Sequence, residues 1–411
     1  MMFKDFYPRA ICWCLALVPA LLLTTNNFSV GVVIIAILLS LTYLKLNPEP
    51  LKWTKFDTLA TICFCCYLIG AIPVAIADGS TARYFQGGIR LLLCLPIYLA
   101  LSRTLIKRNL PLRPFLENGV VIGSVGTFML ACYQYFYLAM PRVDGFLFSI
   151  NFGYLACSLA FLAFTLIVGS SKKILLFTAF ILSVVSVCLT LTRGGIFAIP
   201  LILIVFALLN IRQINLVKVF ASLAIFGLAT TLAYNNFAGF QNRIDYTINE
   251  FVSIKQGQIN KATSSGDRLQ YWYGAIEAFK ASPLYGLPYE QRETLNHQLY
   301  LDGKIAERAS KIARGHAHSQ YFEMLASNGV LGIISLITIF VIPFFVFALH
   351  FFSTQSPWAL TGATFVAGFG IFGLTEVPLT SNAIGSFYGF MLAVFFAIVA
   401  ADKHNQKLTV E

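Results

Sequence analysis

Apolar runs long enough for a helix to cross the hydrocarbon core of a bilayer recur along nearly the whole chain, near 10–24, 28–44, 58–77, 88–102, 117–138, 148–168, 174–191, 194–209, 217–235, 319–349, 357–375 and 380–400. A span needs about 17–25 residues as helix, and a water-soluble fold cannot bury so many such segments. Apolar residues make up 58% of the chain and charged residues 11%, with a mean hydropathy of +0.75. The runs are continuously apolar rather than alternating, which favours helices over the strands of a barrel. The expectation is an all-α polytopic membrane protein with about twelve transmembrane helices. Residues 1–235 hold helices one to nine, 236–318 form one large loop with short helices of its own, and 319–411 hold the last three helices and a tail. The 319–349 run is longer than one crossing needs, so it should tilt or project.

Charge sets the orientation. Lys4 and Arg9 resemble the basic flank of a signal peptide, but a second apolar run follows without a small-residue cleavage site, so the first span reads as a retained anchor. With both termini in the cytoplasm, 15 of the 29 basic residues fall in or beside cytoplasmic connections, and ten more lie in the long loop, which is largely exempt from the positive-inside bias. Of the four left over, Arg83, Arg142 and Arg193 lie in connections expected to face away from the cytoplasm and Arg90 lies inside a span, and all are arginine. A guanidinium offers a planar fork that matches phosphate or carboxylate oxygens, which a lysine cannot imitate. Taken singly, each is as readily explained by contact with outer-leaflet headgroups or with Asp78, Asp144 or Glu376. Arg90, inside the fourth run, should face the bundle interior or a polar cavity.

The net charge of +11 is largely this collar of orienting charge, and nucleic acid is not implied. The nine cysteines all lie within expected spans and lack the two-plus-two spacing of a zinc site, so they read as packing residues. No Asp-x-Asp pair is present to hold a divalent ion, and neither a metal nor a cofactor is expected.

Within the loop, Leu269, Trp272, Ile276 and Phe279 recur at helical spacing across Asp267–Ala281, with Pro283 ending the helix. Arg268 sits in its first turn, where guanidinium and backbone N–H groups could hold one phosphate together; the competing reading pairs Arg268 with Asp267. A second, basic helix is expected through Lys304–Arg314, carrying Arg308, Lys311 and Arg314, with Gly315 as a left-handed cap. His316-Ala317-His318-Ser319 follows at the membrane boundary, with two of the five histidines of the chain. An imidazole there is a candidate general base, although histidine at a helix start is often structural. Two guanidinium forks and one proton acceptor on one face suit attack of a hydroxyl on a carbon bonded to pyrophosphate. Other readings are a transporter or flippase, which would be marked by inverted repeats, and a non-catalytic assembly protein docking through the aromatic loop.

Leu189-Thr190-Leu191-Thr192-Arg193-Gly194-Gly195, Ser265-Gly266-Asp267-Arg268 through Trp272 to Ser282-Pro283, and His318-Ser319 through Glu323 to Gly329 and Gly332 stand in an order that resembles the O-antigen ligase/polymerase superfamily. Arg142-Val143-Asp144-Gly145 with Asn151 and Gly153 resembles a further element of it. The resemblance implies a GT-C-like glycosyltransferase of the Gram-negative inner membrane, working without metal and with inversion at the periplasmic face. Its donor would be an undecaprenyl-pyrophosphate-linked glycan. Carried over by position, Arg193 and Arg268 would hold the pyrophosphate and His318 would activate the acceptor hydroxyl, with Arg83, Arg90, Arg142, His316 and Arg314 as further substrate-binding residues. Serine at 319, where asparagine often stands, departs from the pattern. Of the activities implied, a ligase with a lipid A–core acceptor comes first, modestly favoured by the basic 304–314 segment. A polymerase comes next, and a protein-glycosylating enzyme is disfavoured by the short C-terminus.

Overall fold

The structure is a computed structural model that describes residues 2–48, 53–79, 82–211 and 234–410, with isolated helical positions between 224 and 232. Among the described residues every regular element is helical. The first eight helices are α1 (Met2–Leu21), α2 (Phe28–Leu46), α3 (Lys55–Asp78), α4 (Ala82–Lys107), α5 (Leu112–Tyr137), α6 (Ser149–Leu166), α7 (Lys173–Leu189) and α8 (Arg193–Leu209). Next come α9 (Ala238–Lys255), α10 (Ser265–Ala281), α11 (Tyr289–Leu301) and the single turn α12 (Glu307–Ser310), and last α13 (Gln320–Thr354), α14 (Pro357–Phe372) and α15 (Asn382–Val410). Among the described residues seven helices are long and apolar enough to cross a membrane, namely α2 to α6, α13 and most of α15, while α7, α8 and α14 are apolar but shorter. The chain is thus of the multi-pass membrane type. More than half of the span expected at 217–235 lies outside the described residues.

The core forms around α15, which is buried over almost all of 383–401. Phe387, Tyr388 and Phe395 of α15 interlock with Phe365 and Phe369 of α14, with ring centroids 4.7 to 6.4 Å apart. Side chains on most other helices are buried on one side only, as expected where the opposite side faces lipid.

Successive helices alternate direction, so the connections sort to two ends. At one end Arg108 bonds Asp5 at 2.8 Å, Arg113 bonds the Leu166 carbonyl at 2.8 Å, and Thr54 and Asp57 form a reciprocal cap that starts α3. At the other end the connections after α3, α5, α7 and α14 meet the segment 238–319. Tyr84 accepts from the Tyr289 amide at 3.0 Å, Val143 N–H bonds the Leu189 carbonyl at 3.3 Å, and Gln320 N–H bonds the Gly373 carbonyl at 2.8 Å.

Three local expectations change. The α10 helix forms as its spacing requires, but it buries Gly274, Ala275 and Ala278 rather than Leu269 and Ile276, which stay exposed. Small residues let α10 lie close to its neighbours, and Gly274 sits against Asn296. The basic helix expected over Lys304–Arg314 shrinks to one turn followed by a 3-10 turn. Its charges are consumed locally: Arg308 reaches back to Asp267 at 2.6 Å, so Asp267 pairs with Arg308 rather than Arg268, and Lys311 bonds Glu307 at 2.6 Å. Gly315 does take the left-handed conformation, φ 60, but Arg314 before it does so as well, φ 61.

Rather than running straight, the long α13 breaks at Gly329, φ 58 and ψ −139, and contains a π turn at Ile337–Val341. The break lets Ser282–Leu287 dock: Val330 N–H bonds the Pro283 carbonyl and Leu287 N–H bonds the Ala326 carbonyl, both at 2.8 Å. Gly286, φ 81, lies so close that an added Cβ would stand 2.2 Å from the Ser327 carbonyl carbon. Gly286→Ala is therefore expected to lose about 1–3 kcal/mol through backbone strain, seen as a lower unfolding midpoint in detergent and faster protease cleavage between α10 and α11.

Candidate active site

The histidine segment is held from below by a buried ion pair. Arg292, on α11, is only 2% exposed and points its fork at Glu323 in the first turn of α13, with Nη1–Oε1 at 2.6 Å and Nη2–Oε2 at 3.2 Å. Arg292 also donates to Ser327 Oγ at 2.5 Å and to the Gly315 carbonyl, while Glu323 accepts the Ala317 amide at 2.8 Å. One ion pair thus grips the backbone on both sides of His316. The left-handed backbone of Arg314, Gly315 and His318 turns both imidazoles to the same side.

There they meet Glu376, in the connection between α14 and α15. His318 Nδ1 lies 3.0 Å from Glu376 Oε2, and His316 Nε2 lies 3.9 Å from Oε1. With Nδ1–H donated to a carboxylate, Nε2 of His318 is left as the open basic nitrogen, the arrangement by which a carboxylate orients a histidine general base. His316 Nδ1 accepts the His318 amide at 3.3 Å, so its proton belongs on Nε2. Burial pushes the His316 pKa down, against the pull of Glu323 and Glu376, and keeps that ring neutral at neutral pH. Burial raises Glu376, yet the hydrogen bond from His318, the two imidazoles and the Val377 amide outweigh it and hold the carboxyl below its usual range. The ligating atoms of His316, His318 and Glu376 lie within 4.8 Å of one another, so these three residues could also hold a metal ion.

Arg193, at the start of α8, reaches into the loop. It bonds Glu250 of α9 at 2.6 Å, Ser265 Oγ at 3.2 Å and Thr247 Oγ1 at 3.3 Å, and donates to Ser264 Oγ through its other terminal nitrogen. Glu250 in turn accepts the amides of Ser264 at 2.6 Å and Ser265 at 3.2 Å. The anion site expected at the start of α10 is thus filled by a carboxylate of the chain itself. Burial raises the Glu250 pKa, but the Arg193 contact and the two amides more than compensate and keep it low.

Arg268 stands one turn further on. Its side chain makes no hydrogen bond or ion pair among the described residues, and it acts electrostatically on Tyr154 and Tyr271. Tyr271 packs 5.6 Å from the His318 ring, and Tyr154 bonds Thr375, beside Glu376, at 2.7 Å. Arg268 and His318 therefore share one neighbourhood. Arg142 lies close enough to Arg193 for the two charges to repel and bonds the Thr190 carbonyl at 3.2 Å.

The remaining arginines lie to the other side of His316. Arg83, Arg314 and His316 line a cavity of about 210 Å³ with Tyr67, Tyr84 and Tyr289. Tyr84 and Tyr289 stack there at 4.3 Å. Arg90 is spent on the protein, with Nη1 on the Thr380 carbonyl at 2.9 Å and Nη2 on Asn382 at the start of α15, so it reads as a brace for that helix.

Sequence reasoning did not find Arg292 or Glu250, whose partners lie 31 and 57 residues away. Glu376 was named only as a possible arginine partner, although it is the one charged residue between 357 and 401, a signal that marks a carboxylate retained in apolar surroundings.

The Arg193–Glu250 tie carries a pH dependence. Because the folded-state pKa of Glu250 is depressed from its ordinary 4.5, its contribution is fully present above about pH 4.5 and fades as pH falls through the lower value. Proteolysis of α9 is expected to accelerate over that acidic window, and Glu250→Gln should make it fast and insensitive to that titration at all pH values.

Two comparisons bear on these residues. A protein of Haemophilus influenzae that bears the name "Uncharacterized protein" is 26% identical over 307 residues, 73% of this chain and 75% of the relative. Residues 178–337 match the family model described as O-Antigen ligase. The matched stretch includes Arg193, Glu250, Arg268, Arg292, His316, His318 and Glu323, so residues 178–337 are similar to the O-antigen ligase family, in keeping with the order of the motifs.

Proposed function

We propose that this protein is an O-antigen ligase: a metal-independent, inverting glycosyltransferase that moves a glycan from undecaprenyl pyrophosphate to a sugar hydroxyl of lipid A–core at the periplasmic face of the inner membrane. The observation that carries the reading is the His318–Glu376 contact at 3.0 Å, set beside Arg268, which has no polar partner among the described residues. In the step, His318 Nε2 takes the proton of the acceptor hydroxyl as its oxygen bonds the anomeric carbon from the face opposite the leaving group. The carbon–oxygen bond to the diphosphate breaks, the leaving group takes the electron pair, and the configuration inverts. Arg268 and the positive charge around Arg193 and Arg142 oppose the charge that builds on the diphosphate. Glu376 stabilises the imidazolium that forms. Arginines can neutralise the leaving group without a metal, and a cation at His316, His318 and Glu376 would need the atoms that orient the base.

The cavity lined by Arg83 and Arg314 supports an anionic acceptor and takes over the argument that the 304–314 segment was expected to supply. This favours lipid A–core, whose phosphates and acidic sugars would meet those guanidiniums. A polymerase is the second reading, because a lipid-diphosphate glycan is also anionic.

Reconstitution of purified protein with a lipid-linked glycan and rough lipopolysaccharide in EDTA tests the reading. Smooth product is expected, whereas elongation of the lipid-linked chain alone would select polymerase and a requirement for added metal would refute the metal-free step. His318→Ala and Glu376→Gln should lower kcat by about 10²–10⁴-fold. If His316→Ala abolishes transfer while His318→Ala does not, the base is misassigned. Arg193→Lys keeps the charge but not the fork, and near-normal rates would argue against its role.

A further inference from the structure

Arg243 on α9 belongs to no motif that the sequence singles out, yet it is half-buried beside the expected donor site. Arg193 and Arg243 both lie over the ring of Tyr246, each with its guanidinium carbon 5.7 Å from the ring centroid. Their charges and that of Arg142 repel: Arg142 is disfavoured in its charged form by burial and then by Arg193, and Arg243 by burial, then Arg193, then Arg142. Against these three cations stands Glu250, which is saturated by Arg193, two amides and a hydroxyl. Arg243 Nε is buried with no hydrogen-bond partner among the described residues, and the one hydrogen bond of the Arg142 guanidinium is to a carbonyl. Holding like charges together with donors unsatisfied is costly, and the cost is removed when an anion of matching charge arrives. Arg193, by contrast, already spends both terminal nitrogens on the protein.

We propose that Arg142 and Arg243 form a diphosphate-binding subsite beside the Arg193–Glu250 pair, with Arg243 a direct ligand of the donor's leaving group. This rests on the glycosyl-transfer reading for the identity of the donor, but the recognition itself is chemical. Two half-buried forks with open N–H groups suit two linked phosphates, and Arg193 holds the wall on which they stand.

The test is titration of farnesyl diphosphate and inorganic pyrophosphate into the full-length protein in phosphatidylcholine nanodiscs. Arg243→Ala should weaken farnesyl diphosphate binding by about tenfold or more, Arg243→Lys should recover only part of it, and Arg108→Ala at the opposite end should match the unaltered protein. Equal affinity in Arg243→Ala would overturn the proposal. So would a cluster that ignores both diphosphates and answers only to phosphatidylglycerol in the nanodisc, which would make it a headgroup site. Should Arg243→Ala not fold, phenylglyoxal labelling of the unaltered protein decides: farnesyl diphosphate should protect Arg243, and unprotected labelling counts against a ligand role. Glycan transfer is measured separately. Diphosphate binding through Arg243 without transfer would leave the subsite standing and remove the enzymatic reading, while transfer at full rate in Arg243→Ala would do the reverse.

Discussion

Arg292 arrives from a helix of the loop, Glu323 from the first turn of a long apolar helix, and their fork-to-carboxylate contact joins the two parts of the molecule. Removing both charges from water costs several kcal/mol per ion on the order of magnitude. That cost is offset only because Ser327, the Gly315 carbonyl and the Ala317 amide complete the hydrogen bonding. The contact does more than hold the loop down. By gripping the chain on both sides of His316 it sets the left-handed backbone that turns the two imidazoles toward Glu376, so the geometry of the proposed base descends from this pair.

A division of labour among the arginines follows from how each is satisfied. Arg292, Arg90 and Arg193 spend their forks on the protein, and they fasten the loop, the entry to α15 and the α9–α10 corner respectively. Arg268 has no polar partner among the described residues, Arg142 and Arg243 have donors to spare, and Arg314 lines a cavity with Arg83 and His316. Guanidinium is the group for both tasks, since it stays charged whether buried or exposed and offers five donors in a rigid plane. Counting arginines on one face of a membrane protein therefore marks where guanidiniums gather. It does not tell struts from ligands.

Much of the helical framework could be read along the chain. Eleven of the expected spans coincide with described helices, because a continuous apolar run has one stable solution in lipid. His318, Arg268 and Arg193 stood out in the sequence for a related reason, since charge and imidazole at a membrane boundary are costly unless used. The errors came where local pattern met competing partners. The 304–314 segment has helical composition, yet its basic side chains found Asp267 and Glu307 and the chain turned away. The apolar spacing in α10 identified a helix but not the side it buries, because close packing selected glycine and alanine.

What the sequence by itself determined is a many-helix membrane-type chain with a polar loop before a late span and uncommon arginines near that loop, since hydropathy and charge act locally and survive any arrangement of the helices. Only the tertiary structure decided that Glu376 orients His318, that Glu250 fills the start of α10, that Arg292 locks to Glu323, and that Arg243 joins Arg142 and Arg193. Those contacts join residues that are distant along the chain. A carboxylate's partner is settled by which side chains packing brings within about 3 Å, and no periodicity in one segment carries that information about another.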